Sequence, residues 1–200
     1  MRVRRDEVLH VARAAARIAG VTNVVIVGSQ AVLGAYSEDE LPSTALASIE
    51  ADVLVPHDVE GTAAQAISGA IGQMSMFHRQ NSYYADGVEL SELTFPDGWQ
   101  GRLLDLVADH DGEVEIRAFF PEIHDLCAAK LGAGRPHDRA FVQALHTHRR
   151  DDGSHLLDDD QLAAAADRLP LRPPGVRDRA VGLVEALRRG ADIRLTNPPT

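Results

Sequence analysis

The sequence predicts an α/β (α+β) protein: a mixed sheet flanked by helices over residues 1–120, then a helical unit over residues 121–195. Three observations carry this. Short apolar runs, Val24-Val25-Ile26-Val27 and residues 49–55, alternate with helically spaced stretches in the first part. After Pro121 the apolar spacing turns helical and stays so. With 44% hydrophobic residues among 200, the chain can bury a sizeable core.

Taken in order, residues 4–19 space Val8, Val11, Ala12, Ala15 and Ile18 at helical intervals, and Gly20 stops them. Residues 24–27 read as a buried strand, broken by Gly28-Ser29, and residues 30–35 as a short helix. A polar loop with Pro42 leads to the second strand, residues 49–55. There Glu50 and Asp52, two apart, share one face, while Ile49, Ala51 and Val53 take the other. Residues 61–71 are predicted helical. Residues 82–95 read as a hairpin turning at Asp86-Gly87, and Pro96-Asp97-Gly98 as a further turn. Residues 103–107 and 114–120 read as strands around a turn at 109–112. Helices follow at 122–132, 137–149, 159–168 and 175–189, and a loose tail is expected from Thr196.

Composition narrows the function. No apolar run is long enough to span a bilayer, so no membrane partner is expected. The N-terminal stretch lacks the apolar core of a signal peptide and reads as an amphipathic helix. The one cysteine, Cys127, fits a reducing cytoplasm, where the protein is expected to reside. A net charge of −10 argues against a general nucleic-acid coat. Lys130 is a single lysine among 20 basic side chains. Arginine serves wherever a generic positive charge suffices, so Lys130 marks a place where a compact ammonium is needed, or is one surviving surface lysine.

One constellation carries chemistry. A strand, the Gly28-Ser29 turn opening a helix, and a second strand bearing Glu50-Ala51-Asp52 follow one another. The turn offers backbone N–H groups and a hydroxyl to a phosphate. The two carboxylates make a hard oxygen site suited to Mg²⁺, or Mn²⁺. Together these would hold a nucleoside triphosphate and its cation. Each half alone is also an ordinary turn and an ordinary solvated sheet face.

The segments VVIVGSQAVLG (24–34) and SIEADVLV (48–55) resemble the hallmark of minimal nucleotidyltransferases, a Gly-Ser turn followed by an acid-x-acid strand. The interval from Ser29 to Glu50 is longer than the usual pattern. Three further segments, 75–88, 93–99 and 124–142, extend the resemblance over residues 22–145. It points to a small bacterial branch of nucleotidyltransferase-like proteins related to the AbiEii/MenT toxins of toxin–antitoxin pairs. In HDLCAAKLGAGRPHDRAFV (124–142), the family's Asp-Leu-x-x-x-Lys-x-x-x-x-Arg-x-x-Asp pattern falls on Asp125, Lys130, Arg135 and Asp138. The resemblance implies that Lys130 and Arg135 contact the nucleotide's phosphates, and that Asp138 orients them or assists the acceptor. From the residues alone, Asp138 is equally a charge complementing a helix N-terminus. Where relatives carry a basic residue before that acid, this chain has His137 after Pro136. The resemblance implies Mg²⁺ or Mn²⁺ with an NTP substrate, a tRNA, protein or small-molecule acceptor, and an antitoxin partner. The alternative is a catalytically weakened module acting through protein contacts.

Many nucleotidyltransferases add a third carboxylate from a later strand. Glu115 is the first candidate, with Asp105 and Asp86 behind it. Other features read more plainly. His124 and Cys127 have a zinc-compatible spacing, but a buried structural cysteine is the simpler reading. His146, His148 and His155 read as solvated helix-end histidines. His78, Tyr83 and Tyr84 either line the pocket or pack under the sheet. Ser48 could support the acids from behind.

Overall fold

The structure is a computed structural model that describes residues 3–111 and 114–195. The expected tail from Thr196, and Gly112 in the expected turn, lie outside the described residues. Two compact units are present. The first comprises residues 1–38, 46–93 and 103–121; the second comprises residues 39–45 and 94–102 together with the chain from Glu122 onward.

The first unit is built on a five-stranded mixed sheet: β1 (Asn23–Val27), β2 (Glu50–Leu54), β3 (Tyr84–Val88), β4 (Leu104–Asp111) and β5 (Val114–Phe120), ordered β3-β2-β1-β5-β4. β1 pairs antiparallel with β2 and parallel with β5; β2 pairs parallel with β3; β4 and β5 are antiparallel. α1 (Arg5–Ala19) buries Val8, Val11, Ala12, Ala15 and Ala16 against this sheet, and Gly20 ends it at φ 67°. α2 (Thr62–Ile71) lies on β3. Residues Ser29–Gly34 wind as a 3₁₀ helix rather than an α-helix. α3 (Met76–Asn81), capped by Ser75, has no apolar periodicity in six residues and was not expected.

The hairpin expected over 82–95 does not form. Asp86 and Gly87 sit inside β3, in parallel register with Asp52 and Val53. Gly87 is there for packing and not for turning: a Cβ on it would run into the backbone of Ala64 in α2. The missing side chain lets helix and strand approach closely.

The second unit packs four helices, α4 (Ile123–Ala133), α5 (Pro136–Thr147), α6 (Asp159–Asp167) and α7 (Val176–Arg188). α4 is buried nearly all round and touches the other three. The Phe95 and Trp99 rings stack at 4.6 Å in the same unit.

Candidate active site

β1 delivers the chain to Gly28, whose φ of 70° and ψ of −160° suit glycine alone. A Cβ at Gly28 would also collide with Asp52 Oδ2. The carboxylate therefore lies directly against the turn. The sheet register explains why, because Val27 pairs with Asp52. The long interval between Ser29 and Glu50 is bridged at its base. Gln30, fully buried, donates from Nε2 to the Ser48 carbonyl at 2.5 Å. The Ser48 hydroxyl accepts from the Glu50 N–H at 3.2 Å. Turn and acid strand are thus fixed to each other despite the loop between them.

Parallel pairing of β2 with β3 sets Tyr84 beside Glu50 and Asp86 beside Asp52. Partners in register project to the same face, so all four side chains share one side of the sheet. The Tyr84 hydroxyl donates to Glu50 Oε2 at 2.9 Å. Asp86 and Glu50 are within hydrogen-bonding reach, and burial together with the Glu50 charge raises the Asp86 carboxyl above the ordinary aspartate range. Burial, then the hydrogen bond to Glu50 and the charges of Glu50, Asp86 and Asp52, push the Tyr84 phenol up to about 12. One phenol thus senses all three carboxylates.

The structure therefore sets Asp86, the last of the three candidates, beside Glu50 and Asp52. Glu115 and Asp105 are instead taken up by Arg117, with Glu115 at 2.6 Å. Both lie on the other side of β1 from the acid strand. Gln30 carried no signal as an isolated residue, whereas Tyr84 stood with His78 and Tyr83 as a residue that either lines the pocket or packs, and its hydroxyl reaches Glu50. Asp86 ranked last among the candidates because, in sequence, it is half of an Asp-Gly pair that mimics a turn.

A hard cation suits this donor set. All its donors are oxygens, and Glu50 and Asp86 hold two carboxyl groups close enough to hydrogen bond, which costs energy unless a proton or cation intervenes. Among the described residues, no three His, Cys, Asp or Glu side chains already converge as a finished ligand set.

The second unit gathers the other predicted residues into a cluster of its own. Gly134 closes α4 at φ 66° and Pro136 opens α5. Asp138, wholly buried, accepts from Lys130 Nζ at 3.1 Å and from Arg135 Nε at 2.7 Å. Burial opposes its ionisation, but the Lys130 and Arg135 charges outweigh burial and hold it below the usual carboxylate range. Lys130 is itself buried and sits 4.7 Å from the Phe141 ring centroid. Arg135 is 64% exposed.

Asp125 belongs to a separate ion group, accepting from Arg102 at 2.7 and 3.0 Å with Arg168 at 3.5 Å. His124 is no zinc ligand. Its Nδ1 meets Glu122 at 2.7 Å and its Nε2 accepts from the Asp158 N–H at 3.0 Å. Cys127 is buried and burial raises its thiol. His146 pairs with Asp159 at 2.9 Å. Tyr83 meets His10 Nδ1 at 2.7 Å and packs edge-on against Phe77, so it packs rather than lines the acid site.

No curated protein and no solved structure matches the chain. Residues 7–156 match the model of one family, described as nucleotidyltransferases of unknown function (DUF6036). That match spans both the Gly28 turn with its acids and the Lys130–Asp138 segment, and the chain belongs to this family of nucleotidyltransferases.

Proposed function

We propose that the protein transfers a nucleotide from an NTP to an acceptor hydroxyl, with a divalent cation bound by Glu50, Asp52 and Asp86. The observation that supports this best is the sheet register Val27–Asp52–Asp86, which puts three acids of adjacent strands beside one glycine turn. The acceptor hydroxyl oxygen attacks the α-phosphorus as its proton passes to solvent, the bond from the α-phosphorus to the α,β-bridging oxygen breaks, and pyrophosphate leaves. Bound Mg²⁺ or Mn²⁺ would supply charge neutralisation at the reacting phosphate. Gly28 and Ser29 receive the triphosphate at the turn. Asp52, held against Gly28, orients what the turn binds. The sequence pattern implies phosphate contacts for Lys130 and Arg135, and within the second unit Asp138 fixes the direction of both. The resemblance to AbiEii/MenT toxins favours a tRNA or protein acceptor and an antitoxin partner.

The test is incubation with each α-labelled NTP, Mg²⁺, and total tRNA or total protein. Wild type should transfer label to one of these acceptors, and Asp52→Ala should lower transfer at least about 100-fold, the scale of lost charge stabilisation in a water-poor site. Equal labelling by the Asp52→Ala variant would sink the proposal. Nucleotide binding without transfer to any acceptor would favour the weakened binding module.

A further inference from the structure

We infer that Tyr84 sets the cation preference of the acid site, holding Glu50 to one available oxygen so that Mg²⁺ or Mn²⁺ is taken in preference to Ca²⁺. This rests on the reading of Glu50, Asp52 and Asp86 as cation ligands. The Tyr84 hydroxyl donates to Glu50 Oε2 at 2.9 Å and takes up one lone pair of that oxygen, which makes it the poorer of the two metal donors. The ring is 7% exposed, and β2–β3 pairing places it directly beside Glu50. His78 packs on it with ring centroids 4.8 Å apart. His78 is anchored in turn, because its Nδ1 accepts from the Met74 N–H at 3.1 Å and Ser75 Oγ caps its helix. The phenol cannot swing aside without disturbing this tilted ring contact.

The consequence follows from how the two cations bind. Ca²⁺ takes six to eight oxygens and readily uses both oxygens of one carboxylate. Mg²⁺ demands six at short distance, uses carboxylates through one oxygen, and keeps several waters. A glutamate with one oxygen already hydrogen-bonded suits the second pattern. Removing the hydroxyl frees Oε2 for bidentate binding. Mg²⁺ then loses the group that orients its ligand, while Ca²⁺ gains a donor.

The experiment is thermal unfolding of the full-length chain titrated separately with MgCl₂ and CaCl₂, without nucleotide, for wild type and Tyr84→Phe. Wild type should bind Mg²⁺ more tightly. In Tyr84→Phe the Mg²⁺ affinity should fall about 10-fold, the scale seen when a residue orienting a metal ligand is lost. Ca²⁺ affinity should hold or rise, so the ratio moves toward Ca²⁺. Equal weakening for both cations would mean a merely structural role and overturns this inference alone. Wild type that responds to neither cation overturns it together with the assignment of the acids. If Tyr84→Phe does not unfold cooperatively, His78→Ala, which removes the ring bracing the phenol, should move the ratio the same way; an unchanged ratio there overturns the inference.

Discussion

Asp138 has no exposed surface, yet it is charged and serves two cations. Burial makes its ionised form costly, and Lys130 and Arg135 make it affordable. Removing one partner of such a group leaves a stranded charge, whereas removing both leaves an apolar contact. Asp138→Ala should therefore destabilise by about 3–5 kcal/mol. The pair Asp138→Leu with Lys130→Met should recover most of that loss, Arg135 returning to water. Urea unfolding of the three proteins measures this; a double variant as weak as the single one would contradict it. The pH dependence has a definite sign. The folded carboxyl holds its proton less tightly than the unfolded one. Its stabilising contribution is present above the ordinary aspartate range and is lost as pH falls through the depressed folded value. The double variant should lack that acid-sensitive component.

Among the elements, glycines separate packing from propensity. Gly87 in β3 faces the Ala64 backbone, while Gly69 in α2 is exposed with open space around it. Gly87→Ala should cost about 1–3 kcal/mol as helix and strand are forced apart. Gly69→Ala should add up to about 1 kcal/mol by helix propensity. Thermal midpoints of the two variants should move in opposite directions, and a gain for Gly87→Ala would refute the packing account. The same residue shows where reading the sequence stops. Strands β1 and β2 were legible because their apolar patterns are local and Gly28 interrupts one of them. The acid pair was legible for the same reason, since alternation alone aligns Glu50 with Asp52. β3 was not, because Asp86-Gly87 has the chemistry of a turn and only α2, closing over Gly87, makes it a strand. Asp86 then joins the site through parallel pairing with β2, a non-local contact with no signature in the residues around it. The bridge from Gln30 to Ser48 was hidden likewise, being a single side-chain hydrogen bond across the loop. Lys130, Arg135 and Asp138 were legible because they sit within nine residues of chain, so their meeting around one carboxylate needs only a glycine stop and a proline start.

For the molecule as a whole, 30 acidic against 20 basic side chains leave a net charge of −10. Any salt will relieve that repulsion somewhat, so a specific cation site must be distinguished from general screening. MgCl₂ should stabilise the fold more than NaCl of equal ionic strength. The excess should approach about 2.7 kcal/mol at 100 times the dissociation constant. Asp86→Asn and Asp52→Asn should each abolish the excess while keeping the response to NaCl. An excess that persists in both variants would place the cation elsewhere.

The division of the chain has one more consequence. Its two units are assembled from six alternating segments, so the backbone passes from one to the other five times. A break after residue 121 would not release two intact pieces. It would strip Arg102 from Asp125 and the Phe95–Trp99 stack from the helices they fold with. Such a protein cannot trade its helical part for another by one recombination event. The acid-bearing sheet and the lysine-bearing helices are bound to be inherited together, as a single unit of descent.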